Sequence, residues 1–309
     1  MGNTCPRFCW IWITGRWCRG EGLCDHKIPL DRRFSFGMMP GMLRVFWSLI
    51  LFLWLAFGAA AQTLGVKGPA EGTDGESLAG EELELTDAEW HVRDVMLAIF
   101  YHELGHALID VMQLPVLGLE EDAADVLSVV MIDRLWDAES SEAKVAAAAQ
   151  FWAASAAESA EAGYEPAFWG VHSPDERRYF TYLCLYYGGA PEEREALAVE
   201  FGLPEDRAVT CPEEFDMAAS SWGVFLDELE AAGPGETLVW LGEGEPADYV
   251  EAAILEEVEY LNSIWTLPED VGVRVGPCDE ANAFYDPEEK AITMCREMAE
   301  YILSSAPGE

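Results

Sequence analysis

Thirteen uncharged, mostly apolar residues, Val45–Phe57 (VFWSLILFLWLAF), follow Arg44 and give way to Gly58, Ala59, Ala60 and Ala61. A helix needs about 20 residues to span a bilayer, and a basic residue, a short apolar run and small residues in that order form a secretory signal peptide. Cleavage is expected after Ala61, with an uncleaved membrane anchor as the competing outcome. Residues 1–37 are rich in Trp, Cys and Arg without helical or strand periodicity, and Met38, Met39 and Met42 each offer an alternative start. Residues 1–61 are therefore read as a doubtful extension plus a signal peptide over about 42–61, and the fold is sought in residues 62–309.

Charge divides at the same place. The whole chain of 309 residues has a formal charge of −39, but residues 1–61 carry seven basic and three acidic groups, which leaves −43 for the rest. A surface this acidic repels a phosphate backbone, so nucleic acid is excluded as a partner. Export also sets how cysteines are read: Cys184, Cys211, Cys278 and Cys295 remain in an oxidising compartment and none forms a C-x-x-C pair. Two disulfides are expected rather than a thiolate metal site. Of the three connectivities, Cys184–Cys211 with Cys278–Cys295 is preferred.

Residues 62–85 are rich in Gly and Glu and read as a flexible lead-in. Thr86-Asp87-Ala88-Glu89 is a capping box, and apolar residues at three-and-four spacing from Val92 to Leu108 predict a long helix to about Gln113, ended by Pro115 and Gly118. Further helices are expected over Leu119–Trp136, Ser141–Glu161, Glu176–Tyr187, Pro212–Ala232 and Asp248–Leu261. A strand pair is expected from Val271–Cys278 and Ala291–Cys295. The fold class is mainly α with a small β-sheet or hairpin, one domain over residues 86–305.

The first helix carries His102-Glu103-Leu104-Gly105-His106. Two imidazoles four residues apart lie on one face one turn from each other, so both can reach one metal ion while Glu103 sits beside a metal-bound water. Fifteen residues later Glu121 and Asp125 share a face of the second helix: Glu121 is the candidate third ligand, Glu120 its competitor, and Asp125 could bond the far nitrogen of a ligating imidazole. The alternative is a solvated acidic face with two surface histidines.

The H-E-x-x-H motif followed by Glu121-x-x-Ala124-Asp125 resembles the gluzincin class of zinc metallopeptidases, to which thermolysin belongs, and its E-x-x-A-D form resembles the membrane-associated HtpX-like branch. More closely, residues 100–110 with 114–125 resemble an uncharacterised bacterial family of metallopeptidases, over most of residues 90–300. The resemblance implies a zincin-like α+β fold and one Zn²⁺ on His102, His106 and Glu121, with Glu103 as general base. The stretch His172-Ser173-x-x-x-x-Arg178 is similar to an H-P-x-x-x-x-R stretch of HtpX-like peptidases, with Ser173 in place of Pro. It makes His172 and Arg178 candidates for stabilising an oxyanion. Asn282-Ala283-Phe284-Tyr285 resembles the edge strand that holds substrate backbone in thermolysin-like enzymes; there it precedes H-E-x-x-H, whereas here it follows. Asp286 to Lys290 would be its hairpin turn, and counting outward from that turn sets Cys278 nearly opposite Cys295.

These readings converge on an exported, periplasmic or secreted, zinc-dependent hydrolase acting on peptide or protein, with contact to membrane only through the signal or an uncleaved anchor. The acidity favours basic over acidic peptides. The other readings are a metal-retaining binding or assembly module without turnover, a purely structural helical protein, and an amide hydrolase acting on non-peptide substrates.

Overall fold

A computed structural model describes residues 85–305 and, separately, an antiparallel ribbon of β1 (Trp10–Ile13) with β2 (Arg16–Arg19). That ribbon lies in a stretch whose sequence has no strand periodicity. The apolar run at 45–57, the cleavage point after Ala61 and the lead-in at 62–84 lie outside the described residues. No helix among the described residues is long and apolar enough to cross a membrane.

The main unit is built around α1 (Asp87–Val111). Thr86 caps it: its hydroxyl accepts from the Glu89 N–H, and Glu89 accepts from the Thr86 N–H at 2.8 Å. From Val92 to Ala107 nearly every side chain is buried, so over this stretch the helix has almost no solvent face. It packs against α2 (Glu120–Leu135), α3 (Ala138–Glu161), α8 (Tyr249–Ile264), α9 (Arg296–Ser305) and the sheet. Its buried polar groups are paired. Asp94 accepts from Lys144 at 3.1 Å, and the Tyr101 hydroxyl donates to Glu257 at 2.7 Å while accepting from the Trp136 indole.

The second layer of helices is α4 (Asp175–Gly189), α5 (Pro191–Glu200), α6 (Glu205–Ala208) and α7 (Cys211–Ala232). The expected α2, α3, α4, α7 and α8 are all present, with ends within three residues of expectation. The short α5 and α6, the strand β3 (Leu238–Trp240) and α9 were not foreseen. Both preferred disulfides form: Cys184–Cys211 ties α4 to α7, and Cys278–Cys295 ties the segment after β4 to the end of β6.

The sheet is mixed, ordered β3-β4-β6-β5, with β4 Val271–Gly276, β5 Ala283–Asp286 and β6 Ala291–Cys295. The hairpin is β5 with β6, Asp286 opposite Ala291, as the turn at 286–290 suggests. The pairing of 271–276 with 291–295 is parallel, Gly272 opposite Ala291, on the edge of β6 away from β5. All five residues of β6 are buried, as a central strand requires, and β5 has no strand partner on its outer side among the described residues.

Two glycines in helix interiors give opposite expectations. A Cβ on Gly188 of α4 would stand 2.2 Å from the Cys211 carbonyl oxygen, a backbone atom that cannot yield, whereas one on Gly223 of α7 meets nothing within 4 Å. Gly188→Ala should therefore destabilise by about 1–3 kcal/mol as overpacking does. Gly223→Ala should stabilise by about 0.5–1 kcal/mol through helix propensity and chain entropy. Urea unfolding of both variants tests the pair; an equal response would contradict the packing of α4 on α7.

Candidate metal centre and cleft

The geometry starts from the approach of α1 to α2. A Cβ on Gly105 would be 3.0 Å from the Ala124 Cα, so Gly facing Ala brings the two helices close enough for side chains of both to meet. His102 lies about one turn before Gly105 and His106 directly follows it, and one turn before Ala124 are Glu120 and Glu121.

The imidazole Nε2 atoms stand 3.3 Å apart, and Glu121 Oε2 lies 3.3 Å from His102 Nε2 and 3.5 Å from His106 Nε2. Each Nδ1 atom is already committed: His102 Nδ1 faces Asp125 Oδ1 at 2.9 Å and His106 Nδ1 faces Glu120 Oε1 at 2.9 Å. In the neutral rings, with the proton held at Nδ1 by a carboxylate, each Nε2 would present a lone pair to the other. Glu121 Oε2 is buried without a hydrogen bond of good geometry, an orphaned acceptor among acceptors. Such a set suits a cation, and His102, His106 and Glu121 form a group whose ligand atoms lie within 4.8 Å of one another and could hold a metal ion.

Electrostatics agree. Burial draws the His102 pKa down, but Asp125 and Glu121 outweigh it and raise it to about 9. His106 is raised in the same way, its burial outweighed by Glu121 and Glu120. Glu121 is half-buried, which favours its neutral form, yet the imidazoles hold it well below the usual carboxylate range. The centre therefore attracts positive charge, as protons or as a metal. Burial pushes Glu103 above its ordinary pKa, against the pull of both imidazoles and the Tyr285 backbone N–H.

Behind His102 lies a second layer of charge. Arg178, buried, donates through Nε to Asp125 Oδ2 at 2.8 Å and through Nη2 to Oδ1 at 2.6 Å, and its guanidinium stacks 3.5 Å from the Trp152 ring centroid. The buried carboxylate is thus fully paired. Arg178 does not line the cleft; it faces Asp125, because α4 lies against α2. Ser173, where the resembled motif has Pro, donates to Asp122 at 2.6 Å.

The centre sits in a cleft of about 910 Å³. His102, Glu103, His106 and Glu121 line it, His172 enters from the α3–α4 connection, and Asn282, Ala283, Phe284 and Tyr285 line it from the edge of the sheet. His172 Nε2 is 3.1 Å from Glu121 Oε2, and the Tyr285 hydroxyl donates to Asp110 on α1 at 2.8 Å, holding β5 over the helix. The structure thus brings together residues 102, 103, 106, 121, 172 and 282–285, and sets Asp125 and Arg178 behind them. Sequence reasoning did not find the stacking of Trp152 on Arg178 or the role of Glu120 at His106 Nδ1. Neither residue carries a spacing that distinguishes it from its neighbours.

With this geometry in view, comparison with known families is specific. No curated protein and no solved structure matches the chain. The profile of one family, DUF4344, described as "Putative metallopeptidase", matches residues 72–226 and 249–306. Those segments span more than half of the sequence and contain every residue of the centre, the layer behind it and the edge strand, so the chain belongs to the DUF4344 metallopeptidase family.

Proposed function

We propose that the chain is an exported zinc peptidase in which His102, His106 and Glu121 hold one zinc ion and Glu103 is the general base. The observation that carries this reading is the convergence of two imidazole Nε2 atoms and a carboxylate oxygen without a hydrogen bond of good geometry, with both Nδ1 atoms facing carboxylates. Zinc held there would polarise a scissile carbonyl and acidify water. Two disulfides and the signal-like front support export.

The chain's own groups divide the work. Glu103, with its pKa held up by burial, takes the proton of the attacking water and returns it to the leaving amine. His172 stands on the cleft wall where it can donate to the oxyanion. Asn282, Ala283, Phe284 and Tyr285 offer the free edge of β5 to an extended peptide backbone. Asp125 and Arg178 act through His102 as positioning residues, and Glu120 does the same for His106. The open cleft favours turnover over a binding module with a sealed site. Its lining includes four carboxylates and no Lys or Arg, which favours basic peptides.

Cleavage of a reduced, unfolded protein tests this. Glu103→Gln should keep the metal and lose turnover by about 100-fold or more, as for removal of a general base. Cleavage undiminished in Glu103→Gln would overturn the assignment.

The pH response has a definite sign. His102 has its folded pKa raised to about 9, above the unfolded 6.5, so its contribution in chelator-treated protein is complete below pH 6.5 and is lost as pH rises through 9. Thermal unfolding without metal should show stability falling across that interval. Zinc affinity should rise across it, because the ligands must lose protons to bind. Metal-free stability that climbs from pH 6.5 to 9 would contradict the charge balance at the centre.

A further inference from the structure

Two connections beside the cleft carry large apolar side chains into solvent. Leu117 and Leu119 stand on the α1–α2 connection, and Phe168, Trp169 and Val171 stand on the α3–α4 connection, Phe168 at 82% exposure and Trp169 at 86%. Their exposure is not looseness of the chain. The α3–α4 connection is pinned by Ser173 donating to Asp122 at 2.6 Å and by the Gly170 N–H bonded to the Ala167 carbonyl at 2.7 Å, and just beyond it Arg177 of α4 pairs with Asp122 at 3.5 Å. These turns hold the aromatic side chains outward.

The two connections also meet. Leu119, Pro166, Phe168, His172 and Pro174 share a hollow of about 460 Å³, and Leu119 and His172 are at the same time walls of the metal cleft, which Val171 also lines. The apolar surface is therefore continuous with the site where the peptide would be cut. Contiguous apolar surface on a soluble protein marks an interaction site, and aromatic anchors in partly formed hollows dominate such surfaces.

We propose that Leu117, Leu119, Phe168, Trp169 and Val171 form a docking surface for the apolar side chains of an unfolded polypeptide whose backbone continues along β5 into the cleft. This rests on the peptidase reading and names its substrate class: chains that expose apolar residues, not folded proteins that bury them. An extended chain supplies at once a backbone for a sheet edge and alternate side chains for hollows beside it. A lipid surface fits less well, because residues 62–309 carry a formal charge of −43 and anionic headgroups would repel them.

The test uses the full chain carrying Glu103→Gln, which binds without cutting, with and without Leu117→Ser, Phe168→Ser and Trp169→Ser. All three sites are exposed, so the variant should keep its unfolding temperature. A fluorescein-labelled 20-residue apolar peptide, followed by anisotropy, should bind at least tenfold more weakly to the triple variant, whereas the same peptide with its apolar residues changed to Ser should bind both proteins alike. In the Glu103 parent, a blocked four-residue peptide confined to the cleft should be cleaved equally with and without the three changes. Equal binding of the apolar peptide by both proteins would overturn the proposal. So would triple-variant loss of binding to phosphatidylcholine vesicles with peptide binding intact, which would make the surface a membrane contact. A tenfold difference in peptide binding with no cleavage of any peptide would support the docking surface and strike the peptidase reading alone.

Discussion

Everything at the cleft depends on one close approach. Gly105 lies so close to Ala124 that an added Cβ would stand 3.0 Å from its Cα, and at that distance His102 and His106 of one helix meet Glu121 of the next. Larger residues at either position would separate the helices, and the three ligand atoms would no longer share a point. The carboxylates behind the imidazoles complete the arrangement: by accepting a hydrogen bond from each Nδ1 they hold both Nε2 atoms facing inward. With neutral rings these atoms would be acceptors facing one another, so the group is one that takes up positive charge, as protons or as a metal ion.

The rest of the fold serves that approach. Because α1 is buried on all sides, it is held by four helices and the sheet, and its motif face cannot shift without disturbing the core. Arg178 carries the support outward, pairing with Asp125 on one side and stacking on Trp152 on the other, so α2, α3 and α4 all bear on the orientation of His102. From the opposite direction, Tyr285 fixes β5 to α1 through Asp110. A rigid centre between a free strand edge and an apolar rim is an arrangement in which an extended chain can be held on both sides of the bond to be cut.

Much of this was legible in the sequence because it is local. A capping box, a 3.6-residue apolar period and two histidines four apart state where α1 begins and which face carries chemistry. Glu121 and Asp125, also four apart, could be chosen by the same rule, although Glu120 competed until its bond to His106 Nδ1 placed it behind the imidazole. What sequence could not supply depends on contacts between distant segments. The parallel pairing of β4 with β6 joins strands that are separated by β5 in the chain, and no period in Val271–Gly276 encodes it. Arg178 resembles an oxyanion group by motif, but the buried carboxylate of Asp125, visible only once α2 and α4 are packed, claims its guanidinium. The three-residue β3 and four-residue α6 are too short to show any period.

Metal content decides the central claim most directly. Elemental mass spectrometry of the purified protein should find about one zinc per chain, retained in Glu103→Gln and lost in His106→Ala, since one residue is placed beside the ion and the other on it. Absence of stoichiometric zinc in the folded, disulfide-bonded protein after reconstitution, or zinc that survives His106→Ala undiminished, would contradict the account of this centre.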